Sequence, residues 1–148
     1  ADCYGNNMRF ARRIDHRNSE ELCHAIEQEL SELLRMYNRV CLRLHVLGDF
    51  FSLEYVEFWH RMMIKHDGLL LFGFTHWKRE SDIGSRLQAL NVIYPERSWV
   101  RFSDQGGLMS ANLEGEGIQC PEQTGKTKSC LTCGLCWSTD LPISFKEH

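Results

Sequence analysis

Proline is scarce, at three in 148 residues, and eleven glycines are an ordinary complement. Neither a collagen-like repeat nor a low-complexity linker can therefore make up much of the chain. No apolar run approaches the roughly 18 residues that a membrane-spanning helix needs. The first residues lack the charged and apolar regions of an export signal, so a cytoplasmic protein is expected. An excess of one charge is missing too: 17 Lys and Arg against 20 Asp and Glu leave a formal net charge of −3. Such a molecule has no long-range pull on phosphate backbones, and nucleic-acid binding would need a local patch. The length suits one domain with one sizeable core, read here as an α/β core over 1–105 followed by a cysteine-rich tail over 106–148.

Cysteine, by contrast, is abundant. There are seven, an odd number that cannot all pair as disulfides. Cys120, Cys130, Cys133 and Cys136 fall within 17 residues, whereas Cys3, Cys23 and Cys41 are scattered through the first third. Without an export signal, such a cluster points to a metal site rather than a disulfide framework.

Periodicity supplies the fold class. From Asn18 to about Asn38, apolar residues recur at helical spacing (Leu22, Ile26, Leu30, Leu33, Leu34, Tyr37), with Asn18 and Glu21 placed as a capping box. Val40 to Leu47 then alternates with a period of two, which predicts a strand. Ser52 is placed to cap a second helix with Tyr55, Val56, Trp59, Met62 and Met63 on its apolar stripe, ending at Asp67-Gly68. A strand at Leu69 to Phe74, a helix capped by Ser81 and a strand at Trp99 to Ser103 complete the pattern. Strands separated by about 20-residue crossovers are the mark of right-handed βαβ units. The expected fold is α/β: an open, partial-barrel-like parallel sheet of three strands or slightly more, carrying a metal-binding tail. A closed eight-unit barrel needs about 250 residues and is excluded.

The strands predict an asymmetric sheet. With Leu44, Phe72 and Val100 on one face, that face is apolar and packs helices. The other carries Arg43, His45, Gly73, Thr75, Arg101 and Ser103, with Asp49 just beyond the first strand. Buried arginines need partners, either acids such as Asp49 and Asp104 or an anionic ligand. Ligands of parallel sheets gather at the carboxyl ends of strands, which singles out Gly48-Asp49, Thr75-His76 and Ser103-Asp104. Arg43, Gly48, Thr75, His76, Arg101 and Ser103 are the candidate ligand-binding residues, and Asp49, His45 and Asp104 the candidate proton carriers. Helix entry for Asp49 and a tight turn for Gly48 are the plainer roles. Cys23 and Cys41 read as buried bystanders.

In the tail, Cys130, Cys133 and Cys136 form a Cys-x-x-Cys-x-x-Cys run, and Cys120 is followed by Pro121. Four thiolates complete either a tetrahedral zinc site or the outer corners of a [4Fe–4S] cluster. Paired Cys-x-x-Cys elements favour zinc, and a three-cysteine run with a remote Cys-Pro resembles cluster loops. His148 is an alternative zinc ligand in place of Cys120. Gly125-Lys126-Thr127 resembles the end of a phosphate loop but lacks the earlier glycine and the preceding strand.

Five stretches together resemble the phage and plasmid gene-product-88 family: Cys3-Tyr4-Gly5, His45 to Phe50, Arg101-Phe102-Ser103, Cys120-Pro121 to Cys136-Trp137, and Ile143-Ser144-Phe145 with His148. The resemblance spans nearly the whole chain, and the cysteine stretch is its most specific part. It brings no assigned activity. The family's general look is similar to that of radical S-adenosylmethionine enzymes, whose partial barrels hold a cluster in a three-cysteine loop. Family members carry further cysteines before the Cys-Tyr pair; here Cys3 stands alone, and the resemblance does not carry that loop over.

Two functional expectations follow. In the first, a metalloprotein holds a four-cysteine iron–sulfur or zinc site beside a polar cavity at the strand ends, where Arg43 and Arg101 bind a small anionic or nucleotide-like ligand. In the second, a non-catalytic, zinc-stabilised module binds host protein or nucleic acid through Arg9, Phe10, Arg12, Arg13, Lys126 and Lys128.

Overall fold

A computed structural model describes residues 19–146. Asn18, the basic cluster at Arg9 to Arg13, Cys3 and His148 lie outside the described residues. Helix α1 (Ser19–Met36) carries Glu20 and Glu21 in its first turn and Arg35 in its last, the arrangement its dipole favours. Strand β1 (Val40–Leu44) follows, then α2 (Leu53–Lys65), β2 (Leu69–Thr75), α3 (Asp82–Ile93) and β3 (Ser98–Ser103). Ser52 caps α2 by accepting from the Tyr55 N–H at 3.2 Å, and Ser81 caps α3 by accepting from Gly84 at 3.1 Å. All three predicted strands and all three predicted helices are present.

The sheet is larger than the three-stranded expectation, because the tail joins it. Among the described residues, β4 (Ser110–Leu113), β5 (Ile118–Gln119) and β6 (Ile143–Phe145) extend it to six parallel strands in the order β1-β2-β3-β4-β6-β5. These strands are two to four residues long, too short for periodicity to register. No helix is needed between β3 and β4, since Ser110 pairs with Phe102 near the end of β3 and the chain has little distance to travel back. Asp104 and Met109, at φ +54° and +55°, bend that loop.

Register corrects the predicted faces. Leu44 lies beside Gly73, and Gly73 beside Val100, so these three share a side and Phe72 does not. Leu44, Leu69, Leu71, Val100 and Phe102 pack with α2, α3 and Leu30 of α1 into one core. Thr75 lies level with Phe102 on that same helix side and is fully buried. Arg43, Phe72, Phe74, Trp99 and Arg101 line the opposite side. In β2 both faces are apolar, so alternation alone could not choose between them; only pairing with the neighbouring strands does.

Buried polar contacts fix the layers. Asn91 of α3 donates to Val100 O at 2.8 Å and accepts from Ser98 Oγ and the Val100 N–H. Lys65 meets Glu27 at 2.6 Å across α1 and α2, and Arg86 grips Glu57 across α2 and α3. Cys41 is exposed rather than buried, because among the described residues β1 is the edge strand of the sheet.

Candidate metal centre

The side of the sheet without helices is covered by the tail. Arg101, completely buried, is the anchor. Its guanidinium donates to the carbonyls of Cys136, Thr139 and Leu141. Neither Asp49 nor Asp104 is its partner. Burial pulls its pKa down, while the Cys136 thiol and Asp140 push it back up. Trp137 lies against Phe72 and Phe145 against Phe74, with ring centroids 4.6 and 5.8 Å apart.

Local sequence shapes the thiol loop. Ser129 caps the short helix α4 (Cys130–Cys133), and Gly134, at φ +68°, stops it in a left-handed conformation that other residues seldom adopt. A 3-10 turn over Leu135–Trp137 then presents Cys136. Cys120 arrives from the end of β5, its N–H donating to Ser144 O at 2.9 Å. All four cysteines are free thiols. They line one small, partly open cavity, with Trp137 and Ile143 among its apolar walls and Glu122 beside them.

Electrostatics ties the four together. Burial pushes the Cys136 thiol up to about 11; Arg101 opposes this, and Cys120, Cys130 and Cys133 add to it. Burial also raises Cys130, reinforced by Glu122, Cys120 and Cys133 and opposed by Arg43. Thiols that hinder one another's ionisation lose that penalty when a cation is shared among them. Soft donors in a common cavity suit a soft or borderline metal. Among the described residues, no group of three or more His, Cys, Asp or Glu side chains is placed to hold a metal ion, so the structure does not show the metal-binding tail that the sequence led us to expect.

The strand-end residues are arranged differently from the expectation. Asp49 accepts from the Phe50 N–H and the Thr75 hydroxyl through Oδ1, and from the His76 N–H through Oδ2, each at 2.8 Å. Both carboxylate oxygens are therefore engaged in bracing the β1 and β2 ends. His45 leaves the sheet at φ +54° and packs on Phe50 and Tyr55, on the helix side. Asp104 accepts from the Leu113 N–H at 2.7 Å. Gly48 and His76 are exposed and Ser103 half-buried. Arg43 lies over Phe74 on the thiol side.

The loops after β2 and β3 are stitched together by Arg79, which donates to Gly106 O and Leu108 O, and by Gln105, which donates to Trp77 O. A groove of about 630 Å³ opens between α3, Trp99 and Asp140. None of the candidate ligand or proton residues lines it. Neither the Phe72–Trp137 contact nor the place of Glu122 was legible beforehand, because neither follows from spacing.

Fold and site together define an open parallel α/β protein with a thiol cluster packed on its helix-free face. No protein-family model, no curated protein and no solved structure matches the chain.

Proposed function

We propose that this chain is a metal-binding protein in which Cys120, Cys130, Cys133 and Cys136 hold a thiolate-bound centre that fastens the tail to the sheet. The observation that carries this reading is the sharing of one small cavity by all four thiols. Further support comes from the chemistry of the surroundings. A four-thiolate centre carries net negative charge, and the guanidinium groups of Arg101 and Arg43 lie on the sheet face toward the thiols.

The centre supplies folding free energy to a segment with few buried apolar groups of its own. The small-anion reading has less behind it, because Asp49 and Arg101 spend their polar atoms on the protein itself. Lys126 and Lys128 are exposed beside the thiol loop, but two lysines make no extended basic surface.

The test is metal content and its coupling to the tail. Anaerobically purified protein should carry bound metal, Cys133→Ser should lose most of it, and a strong chelator should free residues 120–145 to proteolysis while α1 to β3 stay protected. A metal-free native chain whose tail resists protease as well with chelator as without it would sink the reading.

A further inference from the structure

We infer that the groove between α3, Trp99 and Asp140 is a binding site for a small organic cation with an apolar body. Its origin is a gap in the sheet. Among the described residues, β4 pairs only with Phe102 and Ser103 of β3. The earlier part of β3 therefore has no strand on that side, and a space of about 630 Å³ is left beside it. Small-molecule sites commonly occupy roughly 300–1,000 Å³. An extended peptide is not the occupant that this edge selects. The carboxamide of the buried Asn91 already accepts from the Val100 N–H at 3.0 Å and donates to the Val100 carbonyl at 2.8 Å, and these are the bonds that an added strand would need. Recognition is left to the side chains.

Those side chains combine an apolar wall with an excess of negative charge. Trp99, Pro95, Val92 and Met109 supply the wall. Glu96 and Asp140 also line the groove; both are exposed, and among the described residues neither carboxylate accepts a hydrogen bond. Asp140 also bears on the buried Arg101, but Arg101 does not line the groove. Arg79, the one cation among the described lining residues, spends Nη2 on the carbonyls of Gly106 and Leu108 and lies over Phe102, 4.3 Å from the ring centroid. An anion would meet two carboxylates against one engaged guanidinium, so the balance favours a cation. Trp99 adds a second, independent reason. It is only 8% exposed, and among the described residues its indole N–H makes no hydrogen bond. A buried donor without a partner costs free energy, which a hydrogen-bond acceptor on the ligand would recover, and the indole face attracts cations.

The experiment uses the full chain and a matched set of probes on one phenol body: tyramine as the cation, para-ethylphenol as the neutral analogue and para-hydroxyphenylpropionate as the anion. Binding is followed by nuclear magnetic resonance at the Trp99 indole N–H, assigned by its loss in Trp99→Phe. Tyramine should shift that signal saturably at millimolar concentration and bind about threefold or more tighter than para-ethylphenol, with the anion weakest. Glu96→Gln or Asp140→Asn should weaken tyramine while leaving para-ethylphenol unchanged; Glu96 is exposed and its amide has nearly the same volume, so that variant keeps the fold. No saturable shift with tyramine up to about 10 mM, or an analogue that binds as tightly as tyramine, would overturn the inference. Tighter binding of tyramine that neither variant reduces would overturn it too, because the groove's carboxylates would then play no part.

Discussion

The indole of Trp137 packs on the ring of Phe72, with centroids 4.6 Å apart and planes inclined at 44°. This contact joins the thiol loop to the centre of the sheet, since Trp137 directly follows Cys136 and Phe72 lies mid-strand in β2. Phe72→Ala removes one half of the pair and should cost about 2 kcal/mol. The emission of Trp137, isolated as the difference from Trp137→Phe, should shift to the red in that variant. An unchanged difference spectrum would show that the tail is held without this contact.

Arg101 should be the costliest polar residue to remove. Arg101→Met keeps much of the buried volume but leaves the carbonyls of Cys136, Thr139 and Leu141 without their donor. Stability should fall by about 3 kcal/mol or more, read from denaturant midpoints. Arg101→Lys should recover only part of this, because an ammonium cannot reproduce the planar fork. A variant as stable as the parent would contradict the anchoring role.

Asp49 braces two strand ends. Asp49→Ala strands the N–H groups of Phe50 and His76 and the hydroxyl of Thr75, with an expected loss of about 2–3 kcal/mol. Asp49→Asn, which keeps one acceptor, should fall between. Amide exchange at Phe50 and His76 reports the change directly; equal protection in Asp49→Ala and the parent would refute the brace.

Acid should weaken the fold through His45. Burial holds its imidazole below the ordinary 6.5, with Asp49 partly opposing. The unfolded chain then takes up the proton first, so unfolding binds protons below that value. The histidine's contribution is complete above about pH 6.5 and declines as pH falls toward the lowered folded-state value. Asparagine tolerates the left-handed backbone at this position, and His45→Asn should flatten the stability curve between about pH 5 and 7. Identical slopes in variant and parent would exclude His45 as the source.

Much of the α/β core was legible because its signals are local. The periods of Leu22 to Tyr37 and Tyr55 to Met63, the caps at Ser52 and Ser81, and the alternation in β1 each arise within one element. The sidedness of β2 was not legible, since Leu70 to Phe74 offers apolar residues to both faces and the neighbours alone choose the register. Thr75 moved to the helix side for that reason, whereas His45 did so because its positive φ turns the chain out of the sheet after β1. The short strands β4 to β6 escaped because two to four residues carry no period.

The sequence by itself determined the order of helices and strands and the identity of the four clustered thiols, because capping, periodicity and cysteine spacing are written along the chain. Only the tertiary structure decided what the buried arginine holds and which sheet face the tail covers. Those are pairings between distant segments, and the backbone hydrogen bonds and packing that select them exist only once the sheet has formed.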